Sequence, residues 1–218
     1  MAWGWQAGSV TLMALAETVA ALQRGELVSD NEFDKAVFLP AYRGLVSRLH
    51  WTPMDVAVRA ATLLAGGGCR RILDIGAGVG KFCIVGALTT SADFVGVEQR
   101  VRLVEAARTA AERAGASRAS FVHANVVDID FADFDGVYLY NPFYEQVAVE
   151  EIPIDDTIEP SYGRYLEYVA MTTRKLREMR PGTRVVIYSG FGGDMPSEYE
   201  RVPVRHRFWT YFELWVRR

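Results

Sequence analysis

The sequence has little cysteine. Cys69 and Cys83 are the only two in 218 residues, and they form no CxxC or Cys/His cluster. That argues against a zinc site and a disulfide scaffold, and it fits a reducing compartment. Long apolar runs are also missing. Val10 to Leu22 comes nearest, but it is too short to cross a bilayer and contains Glu17. Glu17 is the first charge in the chain, so the basic start of a signal peptide is absent, and the expectation is a cytoplasmic protein with no membrane partner. Excess positive charge is lacking as well: the net charge is −3, which disfavours a strongly basic nucleic-acid binder. Low-complexity tracts, repeats and Gly/Ser linkers do not occur. With half the residues hydrophobic and 23% charged, the composition is that of a globular domain rather than a disordered chain.

The organisation changes once, near Gly66-Gly67-Gly68. Before it, Leu12, Leu15, Val19 and Leu22 recur at helical spacing, with Gly25 as a stop. A second helix is expected from Ser29 or Asp30 to Pro40, and a third from Thr52-Pro53, with Pro at its first position. After the glycines, short apolar strands alternate with helices. Strands are expected at 71–75, 93–98, 119–123, 136–140 and 184–189, and helices at 79–88, 101–114 and 162–179. Such alternation predicts a mainly parallel, doubly wound α/β sheet. Two further strands, 199–204 and 208–216, have no crossover helix between them, so the sheet should finish with a reversed strand. The expected organisation is a helical extension or lid at 1–65 and a cofactor-binding domain at 66–218.

The chemistry centres on Asp74-Ile-Gly76-Ala77-Gly78-Val-Gly80, between a strand and a helix. Glycines there allow a tight turn and close approach of a ligand. The phosphate-loop pattern fails, because Ile75 stands five before Gly80 and Phe82 follows Lys81. The dinucleotide fingerprint is weakened, because its third glycine comes one residue early. Glu98, ending the second strand, is placed to accept both hydroxyls of a ribose. It supports a nucleoside cofactor without choosing which.

The GxGxG turn preceded by Asp resembles motif I of the class I S-adenosylmethionine-dependent methyltransferases. That resemblance extends over residues 70 to 140, and the reversed final strand is similar to the family's seven-stranded sheet. It implies S-adenosyl-L-methionine as cofactor. Asp74, Gly76, Ala77, Gly78 and Gly80 would hold its methionine end, Glu98 and Gln99 the ribose side, and Asn125 with Val126 the adenine. Family members often carry Asp where Asn125 stands, and an amide oxygen can accept the same hydrogen bond.

The fourth strand ends Tyr140-Asn141-Pro142-Phe143-Tyr144. This is similar to the Asn/Asp-Pro-Pro-Tyr/Phe of amino-methyltransferases, departing at Phe143. It also resembles the Asn-Asn-Phe of non-SET histone-lysine methyltransferases, matching at Asn141 and Phe143. The resemblance implies that Asn141 and Tyr144 orient an acceptor nitrogen, with Asn141 also touching the cofactor. His50-Trp51-Thr52-Pro53 matches a Thr-Pro that nucleic-acid aminomethylases carry near the cofactor; packing alone explains it equally well.

A run of acids (Glu145, Glu150, Glu151, Asp155, Asp156, Glu159) follows the strand end, and a basic end (Arg201, Arg205, His206, Arg207, Arg217, Arg218) closes the chain. The acids favour a cationic or neutral small-molecule or protein amine over nucleic acid. Asp128, Asp130, Asp133 and Asp135 lack metal-ligand spacing, so no metal is expected. A nucleotide-dependent oxidoreductase and a non-catalytic cofactor-binding protein remain the alternatives.

Overall fold

The computed structural model describes residues 4–148, 154, 157–204 and 211–218. Seven strands form one sheet in the order β3-β2-β1-β4-β5-β7-β6. They are β1 (Arg71–Ile75), β2 (Asp93–Glu98), β3 (Ala119–His123), β4 (Gly136–Tyr140), β5 (Arg184–Tyr188), β6 (Tyr199–Val202) and β7 (Phe212–Arg217). The pairs β1–β2, β2–β3, β1–β4 and β4–β5 are parallel, whereas β7 runs antiparallel to both β5 and β6. The reversed strand therefore lies inside the sheet and β6 forms the edge. The direction of strand addition reverses between β1 and β4, which opens a crevice at their carboxyl ends.

The helices are α1 (Gly4–Gln23), α2 (Asp30–Val37), α3 (Leu45–His50), α4 (Met54–Gly66), α5 (Lys81–Thr89), α6 (Val101–Ala114) and α7 (Tyr162–Glu178). A capping box starts α2: Ser29 Oγ accepts from the Glu32 N–H, and the Glu32 carboxylate accepts from the Ser29 N–H. Helix α5 starts two residues later than its apolar pattern implies, because Gly80 adopts a left-handed conformation (φ +79°) as the N-cap. Pro53 is the N-cap of α4 rather than its first residue, and the Thr52 hydroxyl pairs with the Tyr138 hydroxyl at 3.2 Å instead of capping the helix.

One face of the sheet carries α4, α5, α6 and the N-terminal helices. Leu15, Leu22, Phe33, Val37, Phe38 and Trp51 share a continuous apolar core there with Val79, Phe82, Val104 and Phe121. Leu12, expected on the same inner stripe, is 67% exposed, because the apolar contact of α1 lies at Leu15 and Leu22. The boundary at residues 65/66 thus crosses one core. The other face carries α7 over Leu73, Val95, Val137 and Val185. A buried ion pair ties the extension to the glycine turn: Lys81 Nζ lies 2.5 Å from Asp30 and 2.9 Å from Asp34. Asp30 also accepts the Met54 N–H, so α2, α4 and α5 meet at one carboxylate.

Candidate functional site

A cavity of about 710 Å³ opens at the topological switch point. Its walls come from the carboxyl ends of four strands: Gly76 and Gly78 after β1, Glu98 to Arg100 at β2, Asn125 and Val126 after β3, and Tyr140 to Glu145 at β4. Tyr168 of α7 and Leu49, His50 and Trp51 from the N-terminal extension complete it. Strands that end together at a crevice let residues far apart in sequence converge without a long loop.

The glycines of the turn do different jobs. Gly76 (φ +73°) and Gly78 (φ +55°) face the cavity in a backbone region that favours glycine. A Cβ on Gly78 would meet the Trp51 ring at 2.5 Å, so the turn and the extension fit only because the side chain is absent. A Cβ on Gly80 would meet the Phe121 ring at 2.4 Å; this glycine packs the turn against β3 rather than lining the cavity.

Asp74 and Ala77 lie on a separate small cavity of about 30 Å³, which shares Trp51, Gly76 and Tyr140 with the large one. Burial pushes the Asp74 carboxyl up to about 7, against the stabilising Cys83 Sγ that donates to its Oδ2 at 3.4 Å. The same burial, together with the Asp74 charge, holds the Cys83 thiol well above its usual range.

Glu98 is buried at the cavity wall. Its Oε2 accepts the Gly78 N–H (3.1 Å) and its Oε1 the Arg100 N–H (2.9 Å). One carboxylate thereby fixes the glycine turn to the end of β2. Burial raises its pKa, and the Arg100 N–H and charge oppose the shift. Arg100 reaches across to Glu145 with two hydrogen bonds, at 3.1 and 2.6 Å, and Gln99 Nε2 donates to the same carboxylate at 3.2 Å. Gln99 therefore lines the cavity with its amide donor directed to Glu145.

Asn125 caps a short 3₁₀ turn, its Oδ1 accepting the Val127 N–H at 3.1 Å. Its Nδ2 donates to the Tyr168 hydroxyl at 2.7 Å. Asn141 adopts φ +43°, a conformation that Asn tolerates better than most residues. Its N–H donates to the Gly190 carbonyl, its carbonyl accepts from Tyr144 N–H, and its side chain has no hydrogen-bond partner among the described residues. Tyr144 is 43% exposed at the rim.

Of the sequence-derived candidates, Gly76, Gly78, Glu98, Gln99, Asn125, Val126, Asn141 and Tyr144 thus share one cavity, while Asp74, Ala77 and Gly80 stand behind it. Glu150, Glu151, Asp155, Asp156, Arg205, His206 and Arg207 lie outside the described residues. At the basic end, Arg201 pairs with Glu213 (3.0 Å) and Arg218 with Glu200 (3.2 Å), so these two positive charges are locally balanced. Among the described residues, no group of His, Cys, Asp or Glu could hold a metal, and no helix is long and apolar enough to cross a membrane.

Among the wall residues that escaped the sequence reading are Trp51, Arg100 and Tyr168. Trp51 was legible only as a neighbour of Thr-Pro, Arg100 as one charge among many at a helix start, and Tyr168 as a helical residue with no local motif.

Residues 72–154 match the model of a methyltransferase domain. None of the curated proteins matches the sequence. Among solved structures, an RNA methyltransferase from Salinibacter ruber in complex with S-adenosyl-L-homocysteine is similar, with 23% identity and a TM-score of 0.51 over 75% of this chain and 90% of that one. Cofactor-bound Rv0187 from MTB is similar with 17% identity and a TM-score of 0.51, over 94% of this chain and 89% of that one. A mutant of MtNAS in complex with S-adenosylmethionine gives 14% identity and a TM-score of 0.50, over 96% and 74%. At these identities the likeness is one of fold.

Proposed function

We propose that this chain, a class I, Rossmann-like S-adenosylmethionine-dependent methyltransferase, carries methyl to an amine nitrogen of a small molecule or a protein side chain. The observation that carries the reading is the meeting of the Glu98 carboxylate and the unpartnered Asn141 amide on one cavity.

The residues fit the cofactor. Each Glu98 oxygen accepts one backbone N–H and keeps lone-pair capacity for a ribose hydroxyl. Gly76 presents bare backbone to the cavity, and the Asn125 oxygen retains a second lone pair for an exocyclic amino group. When bound, S-adenosylmethionine supplies an electrophilic methyl and leaves as S-adenosylhomocysteine. Asp74 lies behind the turn on the small adjoining cavity, and in this reading it acts on the methionine end through the turn it anchors.

On the acceptor side, Asn141 Oδ1 accepts a hydrogen bond from the incoming amine and so turns its lone pair toward the methyl. Tyr144 covers the acceptor at the rim. This is catalysis by alignment, with water kept out by Leu49, His50 and Trp51, the part of the extension that acts as lid. Among the described lining residues, Glu98, Glu145 and Glu159 face Arg100, a balance that repels phosphates and favours a neutral or cationic acceptor.

The test has two stages. Calorimetry with S-adenosylhomocysteine and with NAD establishes the cofactor; binding of NAD alone refutes the reading in favour of an oxidoreductase. Labelled S-adenosylmethionine is then offered with polyamines, Lys- and Gln-containing peptides, and RNA and DNA oligonucleotides. Label in an amine or peptide is expected. Label in the oligonucleotides overturns the acceptor class, and cofactor binding with no transfer to any acceptor favours a non-catalytic protein.

A further inference from the structure

Proton accounting around Asn125 identifies a residue that no sequence motif marks. The Val127 N–H donates to Asn125 Oδ1 at 3.1 Å, which fixes the orientation of the amide and leaves its NH2 facing Tyr168. That NH2 donates to the Tyr168 hydroxyl at 2.7 Å. The phenol oxygen is therefore an acceptor in this contact, and its own proton points elsewhere. Among the described residues no acceptor takes it. Tyr168 is 7% exposed, and it lines the cavity beside Asn125 and Val126. A buried hydroxyl normally finds a partner for its proton, so a bound ligand is the partner this site lacks.

The position is not left to chance. The Tyr168 ring packs on Phe143, with centroids 5.3 Å apart. Two turns further along α7, Lys175 Nζ donates to the Val126, Val127 and Ile129 carbonyls at 3.2, 2.7 and 2.5 Å. The helix is thus fastened to the segment that carries Asn125.

We infer that Tyr168 is a base-specificity residue: its hydroxyl donates to the ring nitrogen of adenine that neighbours the amino group taken by Asn125 Oδ1. The inference rests on the cofactor reading above. Asn125 supplies an acceptor and Tyr168 a donor, side by side, and adenine presents the complementary pair, an N–H donor next to a bare ring nitrogen. Hypoxanthine presents the reverse, a carbonyl next to an N–H: its carbonyl opposes the Asn125 Oδ1, and its N–H offers no acceptor for the Tyr168 proton. The pair therefore selects adenine over its deaminated form, rather than merely supporting the fold.

The experiment is calorimetry of wild type and Tyr168→Phe with S-adenosylhomocysteine and with its hypoxanthine analogue, S-inosylhomocysteine. A thermal melt confirms that both proteins are folded; the retained ring preserves the Phe143 contact. Wild type should prefer the adenine ligand clearly. Tyr168→Phe should bind that ligand about fivefold to tenfold more weakly, the size of one net hydrogen bond, and should change its affinity for the hypoxanthine ligand little. The preference then narrows. Equal weakening toward both ligands means a structural role and overturns the inference, as does an unchanged preference. If wild type binds neither ligand, the cofactor reading itself fails, which is a separate result.

Discussion

Replacing Lys81 with Met should destabilise the protein more than any surface change, and the structure gives the size. Lys81 is 2% exposed and its partner Asp34 5%, whereas Asp30 is 47% exposed and keeps access to water. The 2.9 Å contact to Asp34 is an ion pair in which Asp34 Oδ1 receives no well-aligned hydrogen bond, so the ammonium charge is its main compensation. Lys81→Met leaves that carboxylate buried without it, a situation that costs about 3–5 kcal/mol. A second change, Asp34→Asn, removes the stranded charge. Lys81→Met with Asp34→Asn should therefore recover most of the loss, even though it carries one more substitution. Urea unfolding at neutral pH reads both effects from the midpoint, provided the slope is unchanged. A single variant that loses less than about 1 kcal/mol would refute the reasoning, because the usual cost of a broken buried pair would be missing. So would a double variant no better than the single one.

Glu98→Ala should weaken S-adenosylhomocysteine by about tenfold or more in calorimetry, since charged hydrogen bonds contribute roughly 1.5–3 kcal/mol each; unchanged affinity in a folded variant would remove Glu98 from the site. The Asp74 carboxyl, raised by burial to about 7 from 3.8, binds its proton more tightly folded than unfolded. Its contribution is then fully present below about pH 4 and is lost as pH rises through 7. Urea midpoints should fall between about pH 4 and 7, and Asp74→Asn should flatten part of that slope; an identical slope in the variant would show that Asp74 does not titrate there. Asn141→Gly removes the side chain while accommodating φ +43°, so methyl transfer should fall roughly a hundredfold while S-adenosylhomocysteine affinity holds. Full activity would leave Asn141-Pro142 as a turn.

The strands were legible because each is a short apolar run between turn residues, and β1 through β4 fall where that pattern puts them. The glycine turn and Glu98 were legible because their spacing is local: one strand separates them. What could not be read is what joins distant residues. Nothing in Leu45 to His50 marks a separate helix. Nor does Lys81, which follows the last glycine like any helix-starting residue, announce partners some fifty positions earlier. Thr52-Pro53 gave the right helix start for a partly different reason, since the Thr52 hydroxyl meets Tyr138 across the sheet. Asp74 and Gly80 carry the motif yet lie off the main cavity: Gly80 packs against Phe121 of β3 and Asp74 lies on the small cavity behind the turn, while Trp51, from outside the motif, covers Gly78.

The shared core of the extension and the sheet also bears on synthesis. Ribosomes deliver the N-terminus first, at about 5–20 residues per second. Leu15, Leu22, Phe33, Val37 and Phe38 emerge well before α5 and α6, the helices that cover them. For several seconds the nascent chain presents an apolar surface whose partners have not yet been made. Contacts of such long sequence separation slow folding and leave the early segment open to association with other chains. The helices that pack against α5 and α6 in the finished protein are therefore, during translation, an apolar segment that a chaperone could hold until those partners are made.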